Sequence, residues 1–241
     1  MDLNKNYEEF EGIESQESDE APPAIFQRAR SKEQIECRKK EIIDACETIF
    51  KQQGYDAVSF KSISEITSFT RQSIYKYYHS KEEIFLDLLH REQVAWETDI
   101  YAEFAKYGEL SKEGFAQMMT NMFVKHIDMI HLTSRIFYGI EVNCSVEKLA
   151  EFRSTSIDVY HILLLATSRY FPSSLIENRR NFASVIFAFV IGLYPMNHPS
   201  QKSLEAEKLS NAYYVYPEGY EKATAFETIC YRGILFLLSG L

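Results

Sequence analysis

Glycine and proline are scarce in this chain, and their scarcity limits it to one broad class of fold. Only nine Gly and six Pro interrupt 241 residues. Between them, apolar residues recur three and four positions apart, which is the spacing of a buried helix face, over segments much longer than a strand. The sequence therefore predicts an all-α protein without a sheet. Its length fits a small helical domain followed by a larger one.

Three short helices are predicted first, each with a recognisable boundary. The apolar face of the first helix is formed by four residues, Ile42, Cys46, Ile49 and Phe50. Gly54 suits the left-handed position just past the end of that helix. Ser59 and Thr70 are the predicted N-caps of the second and third helices. Ser80 and Glu83 are predicted to form a reciprocal capping box, which starts the fourth helix.

The rest of the chain is predicted to form long helices. The fourth helix is expected to end near residue 104, and the later ones to span 112–129, 132–142, 146–170, 174–194 and 218–238. A loop through Pro195 and Pro199 is expected to separate the last two, since proline interrupts helical hydrogen bonding.

Charge is unevenly distributed along the sequence. The formal net charge of -9 at first argues against binding to nucleic acid, which requires concentrated Lys and Arg. From Arg28 to Lys81, however, eleven Lys and Arg stand against seven Asp and Glu, so this segment carries +4 and the remainder -13. The first twenty residues hold eight acids and one Lys, which is typical of a disordered acidic tail. The predicted tail covers residues 1–30.

A helix, a tight turn and a short polar helix are the arrangement that places one helix in the major groove of DNA. Four runs of residues carry this pattern: Gly54-Tyr55, Ser59-Phe60-Lys61-Ser62-Ile63, Thr70-Arg71-Gln72-Ser73-Ile74-Tyr75-Lys76-Tyr77-Tyr78 and Ser80-Lys81-Glu82-Glu83-Ile84. From Ile42 to Leu88 the sequence resembles the N-terminal DNA-binding domain of the TetR (tetracycline repressor) family. The rest of the chain, residues 83–241, which we call the body, resembles that family in helix count and order.

The resemblance implies about nine helices, a homodimer on a palindromic operator, and an effector pocket in the body. It assigns residues 31–82 to a helix-turn-helix DNA-binding domain and 83–241 to an effector-binding and dimerisation domain. It also implies that Arg71, Gln72, Ser73 and Tyr75 face base edges, and that Ser59, Lys76, Tyr77 and Lys81 hold phosphates. The sequence departs from the family in the turn, where Thr67-Ser68 replace a small residue and Gly, and Phe69 replaces the commoner Val.

The side-chain chemistry agrees with these roles. Arg pairs with guanine and Gln with adenine through two hydrogen bonds, each pair contributing about 1 to 3 kcal/mol of discrimination. Lys61 and Thr70 add phosphate contacts, and Arg38 and Lys39, followed by Lys40, are placed to hold flanking phosphates. The alternative for each of these residues alone is a solvated polar helix face.

Two further sets of residues are predicted in the body. Large or polar residues that interrupt apolar stripes are candidates to bind a hydrophobic or aromatic effector, the alternative being ordinary core: Trp96, Met119, Phe123, His126, Phe137, Tyr138 and Tyr160. Two helices that are apolar nearly all round are predicted to form a four-helix dimer interface, the alternative being central core helices. Its residues are Phe182, Val185, Ile186, Phe189, Val190, Phe226, Ile229, Ile234 and Leu237.

Other classes of protein are not supported by the sequence. It contains no Gly-rich phosphate loop and no catalytic grouping in a recognisable context, so we expect no enzyme and no cofactor. The spacing of His126 and His131 and of the four cysteines fits no metal site. No leader opens the chain and the apolar stretch 182–194 is too short to span a bilayer, so we expect no membrane contact and a cytoplasmic bacterial protein, associated with the nucleoid through DNA.

Two questions remain open at the level of sequence. Either repression or activation fits the same helix-turn-helix domain, residues 31–82, which we call the head. Repression needs no contacts beyond those with DNA. The main alternative to effector control is a DNA-binding adaptor or architectural protein that responds to a protein partner, for which the acidic tail would be a binding segment.

Overall fold

The computed structural model describes residues 24–210 and 226–241 of the chain. Across these ranges the protein is helical and has no strand, which confirms the all-α prediction. The helices are α1 (Ala24–Gln53), α2 (Phe60–Ile66), α3 (Arg71–Ile74), α4 (Lys81–Lys106), α5 (Lys112–Lys125), α6 (Ile127–Arg135), α7 (Val146–Thr155), α8 (Val159–Tyr170), α9 (Ile176–Asn197), α10 (Gln201–Ser210) and α11 (Phe226–Leu238). Short 3-10 turns lie at Tyr55–Ala57 and Glu141–Asn143, and a π-helical segment at Ile136–Ile140.

The chain divides into two units, Met1–Lys40 and Glu41–Leu241. In the first unit, the described residues form the N-terminal part of α1. Helix α1 begins at Ala24, within the predicted tail, whose earlier part, 1–23, lies outside the described residues, and the extent of the tail stays a prediction. The second unit holds the C-terminal part of α1, the other helices and the hydrophobic core. The domain boundary predicted between residues 82 and 83 stays a prediction.

Side-chain caps fix the starts of most helices. The hydroxyls of Ser59, Thr70 and Ser80 accept hydrogen bonds from the third backbone N–H of α2, α3 and α4, which confirms the three predicted caps. Helices α5, α7 and α8 begin in the same way, at Ser111, Ser145 and Asp158. Each cap satisfies an N–H that the helix itself leaves unpaired.

Several predicted helix boundaries in the body are wrong. The helix predicted over 146–170 is two helices, because Asp158 caps a new helix by accepting a hydrogen bond from the His161 amide at 3.0 Å. The helix predicted over 112–129 ends at Lys125, since His126 leaves helical geometry (φ -107°, ψ 41°). The helix predicted over 132–142 instead comprises the end of α6 and the π and 3-10 segments.

Pro195 lies inside α9, where a loop was predicted. The helix ends two residues later, and the Asn197 side chain donates to the Leu193 carbonyl at 2.9 Å. Helix α10 follows and was not predicted. Residues 218–225 of the predicted last helix lie outside the described residues, and α11 begins at Phe226.

The predicted core positions are confirmed in the head. Eight of its buried side chains come from α1 to α3 and the turns beside them: Ile42, Cys46, Ile49, Phe50, Phe60, Ile63, Ile74 and Tyr78. Gly54 ends the first of these helices with its amide bonded to the Phe50 carbonyl at 2.9 Å. Its φ of 85° confirms the positive value expected of a glycine there, but its ψ of 176° lies outside the left-handed helical region.

Helix α4 connects the head to the body and packs against α5, α6 and α7. Its predicted apolar residues Phe85, Leu88, Leu89, Trp96 and Ile100 are all buried. Helix α9 packs against α6, α8 and α11, and α11 packs against α5. Among the described residues no single helix is long and apolar enough to cross a bilayer; α9 and α10 reach the required length and composition only as a pair, with a 57° bend between them.

Candidate functional site

The second helix of the helix-turn-helix is short and held at both ends. The Thr70 side chain caps α3 by accepting from the Ser73 amide at 3.2 Å. Ile74 and Tyr78 are buried below it, and the Tyr75 ring meets the edge of Phe60 at 4.7 Å between centroids. Arg71, Gln72 and Lys76 are exposed, so these side chains face away from the head core.

The predicted DNA-contact residues between Ser59 and Lys81 are exposed or half-buried, as contact with DNA requires. The exposed ones are Ser59, Lys61, Thr70, Arg71, Gln72, Tyr75 and Lys76. Ser73, Tyr77 and Lys81 are half-buried. Arg38 and Lys39 belong to the N-terminal unit, where Arg38 is exposed and Lys39 half-buried. Their assignment as DNA contacts stays a prediction.

Five of these residues surround one open groove of about 330 Å³ between α2, α3 and the start of α4. The groove is lined by Ser59, Phe60, Lys61, Arg71, Tyr75, His79, Ser80, Lys81 and Glu82. Three cationic side chains lie beside a single carboxylate there, so the groove favours an anionic ligand such as a phosphate. Sequence reasoning did not identify His79, which follows the recognition segment and has no helical periodicity to mark it.

Lys81 has a more structural position than predicted. Its Nζ donates to the Tyr55 carbonyl at 3.3 Å and lies 4.5 Å from the centroid of the Tyr55 ring. Arg135 from α6 lies over the same ring at 4.9 Å, and Glu82 accepts from the Tyr55 hydroxyl at 3.1 Å. Tyr55 therefore connects the start of α4 to α6.

The unusual turn between α2 and α3 is stabilised without glycine. Thr67 is extended (φ -121°, ψ 171°), and its hydroxyl donates to the Ile63 carbonyl at 2.9 Å. The Ser68 amide donates to the Glu41 carboxylate at 2.7 Å. A side chain from α1 thus holds the turn that precedes the recognition helix. The bulky Phe69 is buried and meets the Tyr77 ring edge-on.

Glu83 does not complete the predicted capping box. Its amide bonds to Ser80, but its carboxylate accepts from the His79 amide at 2.8 Å rather than from the Ser80 amide. The other carboxylate oxygen accepts from the Ser145 hydroxyl at 2.7 Å. Sequence gives no signal for this contact, because Ser145 lies 62 residues away.

The candidate effector residues do not share one environment. Trp96, Met119 and Phe123 are fully buried in the core. His126 is also buried, but its Nε2 lies 2.8 Å from an Asp99 oxygen that Lys125 also contacts, so it belongs to an ion-pair cluster. Burial holds the pKa of His126 below its usual value in spite of the Asp99 hydrogen bond. Tyr160 is exposed on α8 and does not join the others. The side chains of Phe137 and Tyr138 lie outside the described part of the molecule.

Gln93 and Trp96, two neighbouring side chains on α4, each bury a polar atom that lacks a hydrogen-bond partner in the part of the chain that the structure describes. The indole N–H of Trp96 and the amide oxygen of Gln93, one turn earlier on α4, are buried and have no hydrogen-bond partner among the described residues. Buried polar atoms are almost always paired, so these two atoms are candidates to contact a ligand.

The predicted dimer residues separate into an inner and an outer set. Five are buried within the protomer, and their assignment to an interface stays a prediction: Phe182, Ile186, Val190, Phe226 and Ile234. The other four remain accessible: Val185, Phe189, Ile229 and Leu237. Phe236, at 77% exposure, is the most exposed of the apolar residues on α11. A shallow groove of about 190 Å³ on this face is lined by Asn178, Asn181, Phe182, Val185, Leu237 and Gly240.

No group of three or more His, Cys, Asp or Glu side chains within residues 24–210 and 226–241 is arranged to hold a metal ion. All four cysteines are free thiols. Burial raises the pKa of Cys46 to about 12, which keeps that thiol protonated.

Family models match most of the chain. Residues 42–88 match the model of bacterial regulatory proteins, tetR family, and residues 90–235 match the tetracyclin repressor-like C-terminal domain. These two ranges meet within α4, where the helix leaves the head.

Individual proteins give partial matches. The chain is 36% identical over 55 residues to the uncharacterized HTH-type transcriptional regulator YfiR of Bacillus subtilis, covering 23% of this chain and 27% of YfiR. It is 20% identical over 127 residues to the HTH-type transcriptional regulator QacR of Staphylococcus aureus, covering 52% of this chain and 68% of QacR. The match thus spans about a quarter of YfiR and two thirds of QacR.

One solved structure has a similar fold. The fatty acid degradation regulator FadR from Bacillus halodurans superposes with a TM-score of 0.52 at 15% identity, covering 84% of this chain and 95% of that protein. At this identity the similarity concerns the fold alone.

Proposed function

Because the chain belongs to the tetR family of bacterial regulatory proteins, we propose that it is a homodimeric repressor whose palindromic operator is read by Thr70–Lys76. A small hydrophobic or aromatic effector that binds in the body releases it from that operator. The coarser statement, that it is a helix-turn-helix transcription regulator, follows from the family. Operator DNA lies in the bacterial cytoplasm, and the proposal places the protein there.

The exposed polar surface of the recognition segment carries the proposal. Arg71 and Gln72 project from α3, which Ile74 anchors in the core, and the exposed Tyr75 and Lys76 follow it directly. Arg71 and Gln72 present donors suited to guanine and adenine edges, whereas Lys76 offers a charge suited to phosphate. This division of roles separates sequence discrimination from overall affinity.

Substitution of these residues tests DNA recognition. Fluorescence anisotropy is measured with DNA from the chain's own promoter region and with scrambled DNA. Arg71→Ala and Gln72→Ala should lose preference at particular base pairs, whereas Lys76→Ala should weaken all sequences alike and reduce the salt slope by about one. The matched control is Lys202→Ala, an exposed lysine on α10. Binding unaffected by all three head variants would refute the proposal.

The accessible apolar face of α9 and α11 supports the homodimer. Val185 is 46% exposed and Phe236 is 77% exposed, which is unfavourable for helices that are otherwise buried. A second copy of the same face would cover both residues with two-fold symmetry. In sedimentation velocity, Phe236→Asp should convert the protein to a folded monomer. Leu209→Asp, at another exposed apolar position on α10, should not. A dimer that withstands both changes would exclude this interface.

The unpaired polar atoms of Gln93 and Trp96 support a small effector. They offer one acceptor and one donor within an apolar core, which suits a largely apolar molecule with few polar groups. The chain contains a single tryptophan, so its intrinsic fluorescence reports on this position.

A compound series tests effector control. Hydrophobic and aromatic compounds are titrated while tryptophan emission and operator release are followed together. A true effector changes both with one midpoint, since binding and release are thermodynamically linked. Trp96→Phe, which keeps an aromatic but smaller ring and removes the N–H, should weaken effector binding and leave operator binding intact; because it removes the only tryptophan, operator release alone is followed for this variant. If no compound releases the operator and a protein from the same cell does, control by a protein partner replaces the effector.

A further inference from the structure

Two carboxylates on α4 each contact both the head and α7. Glu83 accepts hydrogen bonds from the His79 amide on one oxygen and from the Ser145 hydroxyl and amide on the other. One turn later, Asp87 accepts from the Tyr78 hydroxyl at 2.7 Å on one oxygen, and the ammonium of Lys148 lies 2.5 Å from the other. At two successive turns of α4, therefore, one carboxylate oxygen contacts the head and the other contacts α7.

The residues on the head side follow the recognition segment directly. Tyr78 is buried below α3, and its backbone amide bonds to the carbonyl of Ile74, the last residue of that helix. His79 comes next and lines the groove that favours an anionic ligand. Whatever fixes Tyr78 and His79 therefore also fixes the orientation of Arg71 and Gln72.

The residues on the body side form the first turn of α7. Ser145 is its N-cap, and its hydroxyl accepts from the Lys148 amide while donating to Glu83. Lys148 is only 8% exposed and also contacts Glu151 at 3.0 Å. The chain enters α7 through the π and 3-10 segments at 136–143. Departures from α-helical geometry of this kind often mark places where a helix adjusts.

Both carboxylate clusters are charged and largely shielded from water. Glu83 is 3% exposed; burial acts to raise its pKa, but the hydrogen bonds from His79 and Ser145 outweigh burial and hold it below its usual value. Burial acts to lower the pKa of Lys148, yet its hydrogen bonds and charge interactions with Asp87 and Glu151 together outweigh burial and raise it. Removing one member of such a pair leaves its partner charged and unsatisfied, so these contacts resist rearrangement.

We infer that Glu83 and Asp87 are positioning residues for DNA recognition, which hold the segment after α3 in register with the first turn of α7. The inference rests on the proposed reading of DNA by α3. According to this inference, the orientation of Arg71 and Gln72 depends on Ser145 and Lys148. These two residues belong to the body and do not line the groove at the head.

Amide hydrogen exchange on the full chain tests these contacts without DNA. In Lys148→Met and in Ser145→Ala, amides of residues 71–79 should exchange at least about tenfold faster, while amides in α8 and α9 keep their rates, since the opening is local. Arg153→Met is the control for Lys148, because Arg153 also lies on α7 and its ion pair, with Glu141 of the preceding 3-10 segment, does not involve α4. Ser111→Ala is the control for Ser145, because it removes the N-cap of α5.

Operator affinity, measured on the same proteins, connects the contacts to function. Lys148→Met and Ser145→Ala should weaken operator binding by about tenfold or more, the two controls should not, and Lys148→Arg should restore most of the affinity. Unchanged exchange in residues 71–79, or unchanged affinity in both variants, would overturn the inference. If Lys148→Met does not fold, Ser145→Ala against Ser111→Ala decides alone. A wild-type chain that binds no operator would refute the proposed function instead.

Discussion

The ring of Phe189 on α9 lies directly against Gly233 on α11, in the space that a Cβ at position 233 would occupy. The two helices approach each other closely at this point because glycine has no side chain. We expect Gly233→Ala to displace the ring and to separate α9 from α11 on the face proposed for the dimer. Overpacking of this kind costs about 1 to 3 kcal/mol, of which helix propensity returns up to about 1 kcal/mol.

Urea denaturation and sedimentation of Gly233→Ala measure both consequences. The double variant Gly233→Ala with Phe189→Leu should recover stability, because the smaller side chain leaves room for the new methyl group. A single variant as stable and as dimeric as the wild type would contradict the close approach.

The positive φ of Gly54 predicts that a substitution at this position lowers stability. A Cβ at position 54 meets nothing within 4 Å, so any cost of Gly54→Ala comes from its φ of 85° rather than from crowding. Positive φ with extended ψ is nearly restricted to glycine, and we expect a loss of about 1 to 3 kcal/mol in the free energy of unfolding. Gly108 has equal space without positive φ, so Gly108→Ala should lose no stability. Equal unfolding midpoints for the two variants would exclude backbone strain at position 54.

His131 predicts a pH dependence of stability. Its ring packs between Phe50 and Tyr194, and its Nε2 accepts from Arg135 at 3.1 Å, which requires the neutral form. Burial, with smaller effects of Arg135 and His198, lowers the pKa of His131 from 6.5 to about 4. Since the unfolded chain binds this proton more tightly, the contribution of His131 to stability is complete above pH 6.5 and is lost as the pH falls towards 4.

The substitution His131→Phe removes the titrating group and keeps both ring contacts. The melting temperature of this variant should fall less steeply than that of the wild type between pH 6.5 and 4.5. His126, whose pKa is also lowered, retains part of the slope in both proteins. Parallel curves for the two proteins would mean that His131 is not held neutral.

The hydrogen bond between Glu41 and the Ser68 amide predicts an indirect effect on DNA binding. Glu41→Ala leaves the turn before α3 without its acceptor, and we expect a loss of about 1 kcal/mol, or roughly fivefold in Kd, on every operator sequence alike. Glu205→Ala is the control, since that exposed carboxylate lies on α10, outside the helix-turn-helix, and accepts from Gln201 on the same helix at 3.1 Å. Anisotropy titrations that show no loss for Glu41→Ala would mean that the turn holds its shape without α1.

Local signals in the sequence were sufficient for the head. Ser59, Thr70 and Ser80 could be identified as caps because a cap contacts an amide only three residues away. The periodic residues of α1 and α4 were confirmed as core for the same reason, since one face of a helix is determined by spacing alone. Asp158 was missed although its type is typical of a cap, because apolar residues on both sides continued the helical pattern.

Contacts between distant segments could not be predicted. Glu83 has the residue type and position of a capping-box member, but Ser145 competes successfully for its carboxylate through tertiary packing. On α9 and α11, apolar residues occupy every face, so spacing could not distinguish buried Ile186 from exposed Val185. Such helices are divided into inner and outer faces only by the neighbours against which they pack.

The shortness of α3 has a consequence for how such a regulator diversifies. Its hold on the protein comes from the Thr70 cap and from buried Ile74 and Tyr78, whereas Arg71 and Gln72 contribute side chains to the solvent and little to the fold. Under the proposed reading of the operator by α3, exchanging those two residues would change which site on a chromosome is occupied without a matching loss of foldability. Duplicated copies of this gene would therefore acquire new target promoters in few mutational steps, while inheriting the same body unchanged.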